Sequence, residues 1–214
     1  MSERYVPAAG RPGLTPLFDA VNAVTMRQRR WRPLLVERAR AAGARKILDL
    51  GCGTGAMAIA LARDLPAAKV IGIDGDPAVL SRARAKSAKV GVELELHEAF
   101  ADAIPLADES VDCVVSTLVF HHLPAEVKRG ALVEARRVLA PDGRLLICDV
   151  GRPRDPFMRA VFFLVQLLDG FATTQENVTG KLPQLVAQSG YSDVVILRRV
   201  RTGGGSLDVI EASR

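Results

Sequence analysis

A chain of 214 residues, 49% of them hydrophobic, is long enough to bury one sizeable core and too short for two comfortable domains, so residues 1–214 are expected to form a single domain. The net charge of +5 and pI of about 9.4 make nucleic acid, anionic lipid and acidic ligands the partners to weigh. No apolar run reaches the roughly 18 residues of a spanning helix. The first thirteen residues, MSERYVPAAGRPG, lack the apolar stretch of a secretory signal, so a cytoplasmic location is expected, with peripheral contact to a membrane left open.

Residues 1–16 are rich in Pro and Gly and read as a flexible lead. Residues 17–42 read as a helical cap, with a break near Trp31–Arg32 because Pro33 suits a first helical turn. Gly43 then stands where a helix-ending glycine belongs. A buried-type strand at 46–50 is followed by an alanine-rich helix at 56–65, stopped by Pro66. The next strand covers 69–74. Asp76 and Pro77 then read as an N-cap and first helical residue, opening a helix to about Val90. Residues 93–98 alternate polar and apolar, as a half-buried strand does, and 111–119 form an apolar run. Pro124 opens a helix whose apolar positions repeat every 3.6 residues. Pro141-Asp142-Gly143 reads as a turn, and 144–150 as the next strand. This alternation of apolar strands and helices predicts an α/β fold with a parallel sheet covered on both faces.

The last third differs. Residues 156–171 are strongly apolar and read as a core helix or a lid over an apolar pocket. A short helix at 182–189 ends at Gly190. The strand-like runs 194–200 and 207–212 are too close for a helical crossover and should pair as an antiparallel hairpin. Cys52, Cys113 and Cys148 are scattered without a C-x-x-C spacing, so neither a disulfide framework nor a zinc site is expected. Two basic clusters, RQRRWR at 27–32 and RRVR at 198–201, either attract an anionic partner or form a solvated face.

The stretch ILDLGCGTGAM, residues 47–57, carries the chemistry. A strand, a glycine-rich turn and a helix start can hold a cofactor, because glycines let a ligand approach the backbone. The spacing Gly51-x-Gly53-x-x-Ala56 also fits a dinucleotide fingerprint. Asp74, ending the next strand, can accept both hydroxyls of an adenosine ribose, which a nicotinamide dinucleotide and S-adenosylmethionine share. Asp49 separates them: a carboxylate two residues before the first glycine repels a pyrophosphate and welcomes a cationic α-amino group. A carboxylate in the Phe100-Ala101-Asp102-Ala103 segment can accept adenine amino hydrogens, and a terminal hairpin is foreign to a dinucleotide domain.

On these residues the chain resembles the class I S-adenosylmethionine-dependent methyltransferases, and is most similar to their ubiquinone/menaquinone-biosynthesis-like small-molecule branch. The matching stretches are ILDLGCGTG (47–55), VIGIDGDPAVL (70–80), AFADAIPLADESVDCVVSTLVFHHLP (99–124) and VLAPDGRLLICDV (138–150). The resemblance implies a Rossmann-like, doubly wound, seven-stranded sheet with its last strand antiparallel. It implies that Asp49 faces the methionine amino group, that the backbone at Gly51, Cys52 and Gly53 lines the methionine moiety, and that Asp74 holds the ribose with Gly75 beside the adenine. It places Ala101 and Asp102 against the adenine, and Ser116 and Thr117 beside the methyl group. Asp76 departs from the small polar or apolar residue usual at its position.

The sulfonium methyl is already electrophilic, so the protein must align a nucleophile and exclude water. An oxygen or carbon nucleophile would gain from a base, and His121 or His122, just after the fourth strand, can serve as one or simply pack. His97 lies within a strand and reads as structural. In this family the N-terminal helix and the segment after the fifth strand build the acceptor pocket. Here they correspond to 17–32 and to part of a substrate-side insertion at 155–190, whose phenylalanines and leucines favour a quinol, polyketide or lipid-like acceptor. Three rival readings are an RNA methyltransferase, an NAD(P)-dependent oxidoreductase and a non-catalytic cofactor-binding protein. No RNA-recognition domain accompanies the basic clusters, so nucleic acid is not the expected partner. Acceptor atom and oligomeric state, monomer or homodimer, are left open.

Overall fold

The computed structural model describes residues 25–153, 179–202 and 205–214. Strands β1 (Lys46–Leu50), β2 (Lys69–Asp74), β3 (Glu95–Glu98), β4 (Val111–Thr117), β5 (Leu139–Gly151), β6 (Ser192–Thr202) and β7 (Gly205–Ser213) form one sheet, ordered β3-β2-β1-β4-β5-β7-β6. The pairs among β1 to β5 are parallel, and β7 runs antiparallel to both β5 and β6. The α/β, mostly parallel, seven-stranded expectation is met, including the closing hairpin. Helices α1 (Gln28–Ala41), α2 (Ala56–Asp64), α3 (Pro77–Lys89), α4 (Ala125–Val138) and α5 (Leu182–Gln188) complete the described chain.

Strand residues alternate between two cores, as the pleat requires. Leu48, Leu50, Ile71, Ile73 and Val114 face Ala131, Leu132 and Ala135 of α4. Ile47, Val70, Cys113 and Val115 face Trp31, Leu35 and Val36 of α1 and Met57 and Leu61 of α2. Burial on both faces explains why these strands read as continuous apolar runs. Asp76 caps α3, accepting from the Ala78 N–H at 2.8 Å with Pro77 in the first helical turn.

Beyond shifts of about two residues at the ends of β3, β6 and β7, three boundaries differ from the sequence reading. The break near Trp31–Arg32 lies earlier: Arg27 adopts a left-handed φ of 49°, and Pro33 rides inside a continuous helix. Trp31, Leu35 and Ala39 are spaced four apart and all buried, a stripe that only an unbroken helix can present. β5 begins at Leu139 and runs through Pro141-Asp142-Gly143, with a register shift against β4 at Val111/Cys113 absorbing the irregularity. β4 ends at Thr117, because Leu118 turns left-handed with φ 59° and Phe120–His122 forms a 3₁₀ turn. The expected lead at 1–16 and most of the expected insertion at 155–190 lie outside the described residues. Among the described residues no helix is long and apolar enough to cross a membrane.

α1 is tied to the sheet at both ends, at its start by Arg198 of β6, which donates to the Arg30 carbonyl at 2.9 Å. Trp31 is 1% exposed and donates its indole N–H to the Met26 carbonyl at 3.0 Å. Arg38 grips Glu211 of β7 through two bonds of 2.6 and 2.8 Å. Leu35→Ala, at a fully buried site between them, is expected to cost roughly 2–5 kcal/mol of unfolding free energy. The single tryptophan reports this directly in a denaturant titration followed by fluorescence; a loss under about 1 kcal/mol would mean that α1 is not part of the cooperative core.

Candidate functional site

β1 sits between β2 and β4, so the chain leaves the carboxyl ends of neighbouring strands toward opposite sides and opens a crevice there. The loop after β1 fills the crevice floor. Gly51, Gly53 and Gly55 have φ of 72°, 53° and 77°, a left-handed region that other residues enter only at a cost of about 1–2 kcal/mol. The loop's donors are turned inward. The N–H groups of Gly51 and Cys52 both donate to the Ile73 carbonyl, at 2.8 and 2.9 Å. Gly53 donates to Asp74 Oδ2 at 2.9 Å, and Gly55 to the Cys52 carbonyl at 2.9 Å. A loop that grips pyrophosphate aims such groups at the anion; this one spends them on itself and on β2. Cys52 is buried, its thiol beside the side-chain-free face of Gly72.

Asp49 lies beneath this loop, fully buried, and neither carboxylate oxygen has a hydrogen-bond partner among the described residues. Burial pushes its pKa up to about 7; the nearby Ala58 N–H opposes the rise without meeting hydrogen-bond geometry, the Asp74 charge adds to it, and the Arg32 guanidinium opposes it. Arg32 itself is held by Gln28, and its buried Nε has no partner among the described residues. Its pKa is lowered by burial and supported by the Asp49 charge.

Asp74 closes β2. One of its oxygens accepts from Gly53 and the other from the Asp76 N–H at 3.0 Å. Burial raises its pKa, opposed by these same amides. Each oxygen keeps a second lone pair for a ligand hydroxyl. Gly75 follows, and a Cβ there would lie 2.9 Å from the Phe100 ring. That ring, 39% exposed at the end of β3, is a feature to which the sequence reading gave no role. Ala101 packs on the core, and the Asp102 Cβ sits against Gly130 of α4, where an added Cβ would be 3.0 Å away.

On the β4 side, the Ser116 hydroxyl is committed: it donates to the Leu50 carbonyl at 2.9 Å, bracing β4 on β1. Thr117 is half-buried at the strand end. Beyond it, Asp149 of β5 organises the backbone. Its Oδ2 accepts from Val119 and Phe120 at 2.9 and 2.8 Å. Its Oδ1 accepts from the His121 N–H at 3.3 Å, from Val150 at 2.7 Å and from His121 Nδ1 at 2.8 Å. Burial alone would raise the Asp149 carboxyl, yet the His121 imidazole and the Val150 amide hold it below the usual range. The Nδ1–H that faces this carboxylate donates, which leaves Nε2 of a neutral His121 to accept. His122 lies against His121, ring centroids 3.9 Å apart. Val119 presses on the glycine loop: a Cβ on Gly51 would fall 2.4 Å from it. His97 stands apart on β3, paired with Glu95 at 2.7 Å.

The predicted residues thus gather on adjoining strand ends: Asp49, Gly51, Cys52 and Gly53 on β1 and its loop, Asp74 and Gly75 on β2, Ala101 and Asp102 after β3, Ser116 and Thr117 on β4, and both histidines in the turn beyond. Asp149 was missed as a site residue. Its only sequence signal was an acidic residue inside the apolar run LLICDV, the same signal that exposed Asp49. Among the described residues no cluster of His, Cys, Asp or Glu could hold a metal, and the three cysteines are free.

Residues 47–143 match the methyltransferase domain family. The chain is 34% identical over 168 residues to the demethylmenaquinone methyltransferase of Thermus thermophilus, covering 73% of this chain and 76% of that one. It is 32% identical over 151 residues to the ubiquinone/menaquinone biosynthesis C-methyltransferase of Syntrophotalea carbinolica, covering 70% of this chain and 63% of that one. The fold is shared with a solved O-methyltransferase family protein of Burkholderia thailandensis, at TM-score 0.71 and 20% identity, over 92% of this chain and 58% of that one. With relatives this similar, on a sheet of this topology, the chain belongs to the class I S-adenosylmethionine-dependent methyltransferases, in their ubiquinone/menaquinone-biosynthesis branch.

Proposed function

We propose that this methyltransferase modifies a small apolar acceptor of the quinol type, and that its crevice recognises the cofactor mainly through two carboxylates. The observation that carries the cofactor part is the buried, unpartnered Asp49 beneath a loop whose N–H groups are already spent. A buried charge without a partner is costly, so the site favours a ligand that brings a cation. Bound S-adenosylmethionine supplies an electrophilic methyl on a sulfonium. Asp49 meets its α-amino group, with the carbonyls and Cα atoms of Gly51, Cys52 and Gly53 along the methionine moiety. Asp74 accepts the ribose hydroxyls on its remaining lone pairs. Gly75 and the Phe100 ring flank the adenine, and Ala101 and Asp102 take its edge. Ser116 and Thr117 form the wall on the β4 side.

The acceptor reading rests on the quinone-biosynthesis relatives and on the apolar sequence of residues 156–171. In a hydroquinone, removal of a hydroxyl proton raises the electron density of that oxygen and of the adjacent ring carbons. His121, oriented by Asp149 with Nε2 left to accept, takes that proton, and His122 buttresses the ring. As the bond from the acceptor to the methyl carbon forms, the sulfonium S–C bond would break with its electron pair kept on sulfur; the products are the methylated acceptor, adenosylhomocysteine and one proton passed through His121 to water.

The ionised form of Asp49 is the one that pairs with an ammonium group. With its pKa at about 7, each step below neutrality demands a deprotonation before binding, whereas the ligand's amine stays charged throughout. Affinity for adenosylhomocysteine, which carries the same amine, should therefore fall about tenfold from pH 8 to pH 6 and level off above pH 8. Isothermal titration across that range checks this; Asp49→Asn should bind weakly with no such slope, and a wild-type profile flat from pH 6 to pH 8 would remove the role of Asp49.

Asp74→Ala removes two charged hydrogen-bond acceptors and should weaken adenosylhomocysteine binding by about 10- to 100-fold. Thermal melts read this as a smaller midpoint shift at fixed ligand. NAD and NADP should shift neither protein, and stabilisation by either would revive the dinucleotide reading. With a demethylated menaquinol as acceptor, His121→Gln should lower kcat by about 10²- to 10⁴-fold, flatten the pH–rate profile and leave adenosylhomocysteine affinity unchanged. A variant retaining wild-type kcat would reduce His121 to packing.

A further inference from the structure

The two arginine clusters, 166 or more residues apart in sequence, meet in space. Arg29, Arg30 and Pro33 at the start of α1 and Arg198, Arg199, Val200 and Arg201 on β6 line one concave surface of about 390 Å³. Arg198 donates to the Arg30 carbonyl at 2.9 Å, fastening the strand to the helix. All five arginines are exposed, and none of the lining residues is acidic. Asp208, itself buried, lies 3.4 Å from Arg199. Like charges gathered in this way repel one another unless an anion joins them.

The placement is as informative as the charge. α1 leads into β1 from its carboxyl-terminal end, so its first turn stands at the crevice end of the sheet, where Arg32 feels the charge of Asp49. β6 ends at Thr202 beside Gly205, and Ser206 pairs with Gly151 at the carboxyl end of β5. The basic concavity therefore flanks the same edge of the molecule on which the cofactor loop opens. Single-stranded nucleic acid would want exposed aromatic rings to stack its bases. The only aromatic residue in either cluster, Trp31, is 1% exposed. A guanidinium fork matches phosphate oxygens in pairs.

We infer that this arginine concavity is a docking surface for the phosphate headgroups of an anionic lipid bilayer, turning the crevice edge toward the membrane. An apolar acceptor then reaches the crevice without crossing water. The inference adds a partner to the proposed function but does not rest on the acceptor's identity, since lipid vesicles free of quinone suffice to test it.

The test is vesicle co-sedimentation of the full chain, with phosphatidylcholine alone and with phosphatidylcholine containing phosphatidylglycerol. Wild type is expected in the pellet only with phosphatidylglycerol, and released by added salt. The double variant Arg29→Gln/Arg30→Gln should partition roughly thirtyfold more weakly, at about tenfold per 1.4 kcal/mol and about 1 kcal/mol per basic side chain. Its melting shift with adenosylhomocysteine should equal that of wild type, which shows the variant folded and the crevice intact. If the variant does not fold, the salt dependence of the wild type decides: binding unchanged by salt overturns the proposal. So does a wild type that stays in the supernatant, a folded double variant that pellets like wild type, displacement by inorganic phosphate at an ionic strength where chloride leaves the protein bound, or preference for a single-stranded RNA oligonucleotide over the vesicles.

Discussion

Five hydrogen bonds to one buried carboxylate hold the working end of this molecule together. Asp149 takes the N–H groups of Val119, Phe120, His121 and Val150, and the Nδ1 of His121. Without those acceptors, a chain leaving β4 would bury amides with no partner, each a loss of about 1–3 kcal/mol. With them, Leu118 is forced into a left-handed conformation, Val119 is pressed against Gly51, and His121 is locked in one tautomer. Strain in a non-glycine residue persists only where its surroundings over-determine it. Here Asp149 does so from the neighbouring strand.

Asp49 and Asp149 occupy comparable positions near the ends of β1 and β5, both fully buried. Their environments push them in opposite directions. Asp149 is satisfied on both oxygens and held below its usual range; Asp49 has no hydrogen bond among the described residues and is raised to about 7. A satisfied buried carboxylate stabilises the turn it binds. An unsatisfied one costs stability, and the raised pKa of Asp49 reflects that cost.

What could be read from sequence follows the range of the interactions. The parallel strands declared themselves because burial on both faces demands unbroken apolar runs, and Asp76-Pro77 because a cap is decided within three residues. The hairpin followed from the short gap between its strands. Asp49 and Asp74 were legible as charges beside glycines. The role of Asp149 was not, because its partners in the turn lie 28 to 30 residues away. Nor was the end of β4 at Thr117, which depends on those bonds, or the unbroken α1, whose buried stripe outweighs the hydrogen bond lost at Pro33. The meeting of 27–32 with 198–201 is likewise a product of topology: placing β6 at the sheet edge under α1 is what joins them.

The same strand–loop–helix unit can serve a diphosphate or a sulfonium, and the difference lies in where its N–H groups go. In this loop Gly51 and Cys52 give theirs to Ile73, and Gly53 gives its own to Asp74. What the described contacts leave unspent there are the two oxygens of Asp49 and the second lone pairs of Asp74, in a chain whose net charge is +5. A diphosphate entering the crevice would meet repulsion at Asp49 and find the amides of Gly51, Cys52 and Gly53 occupied. Arg32 refines this arrangement rather than cancelling it. Its charge is close enough to ease the ionisation of Asp49, yet Gln28 holds its guanidinium and neither oxygen of Asp49 is taken by it. Burial holds the Asp49 carboxyl at about 7 with the Arg32 charge opposing it, and both carboxylate oxygens stay unpaired among the described residues.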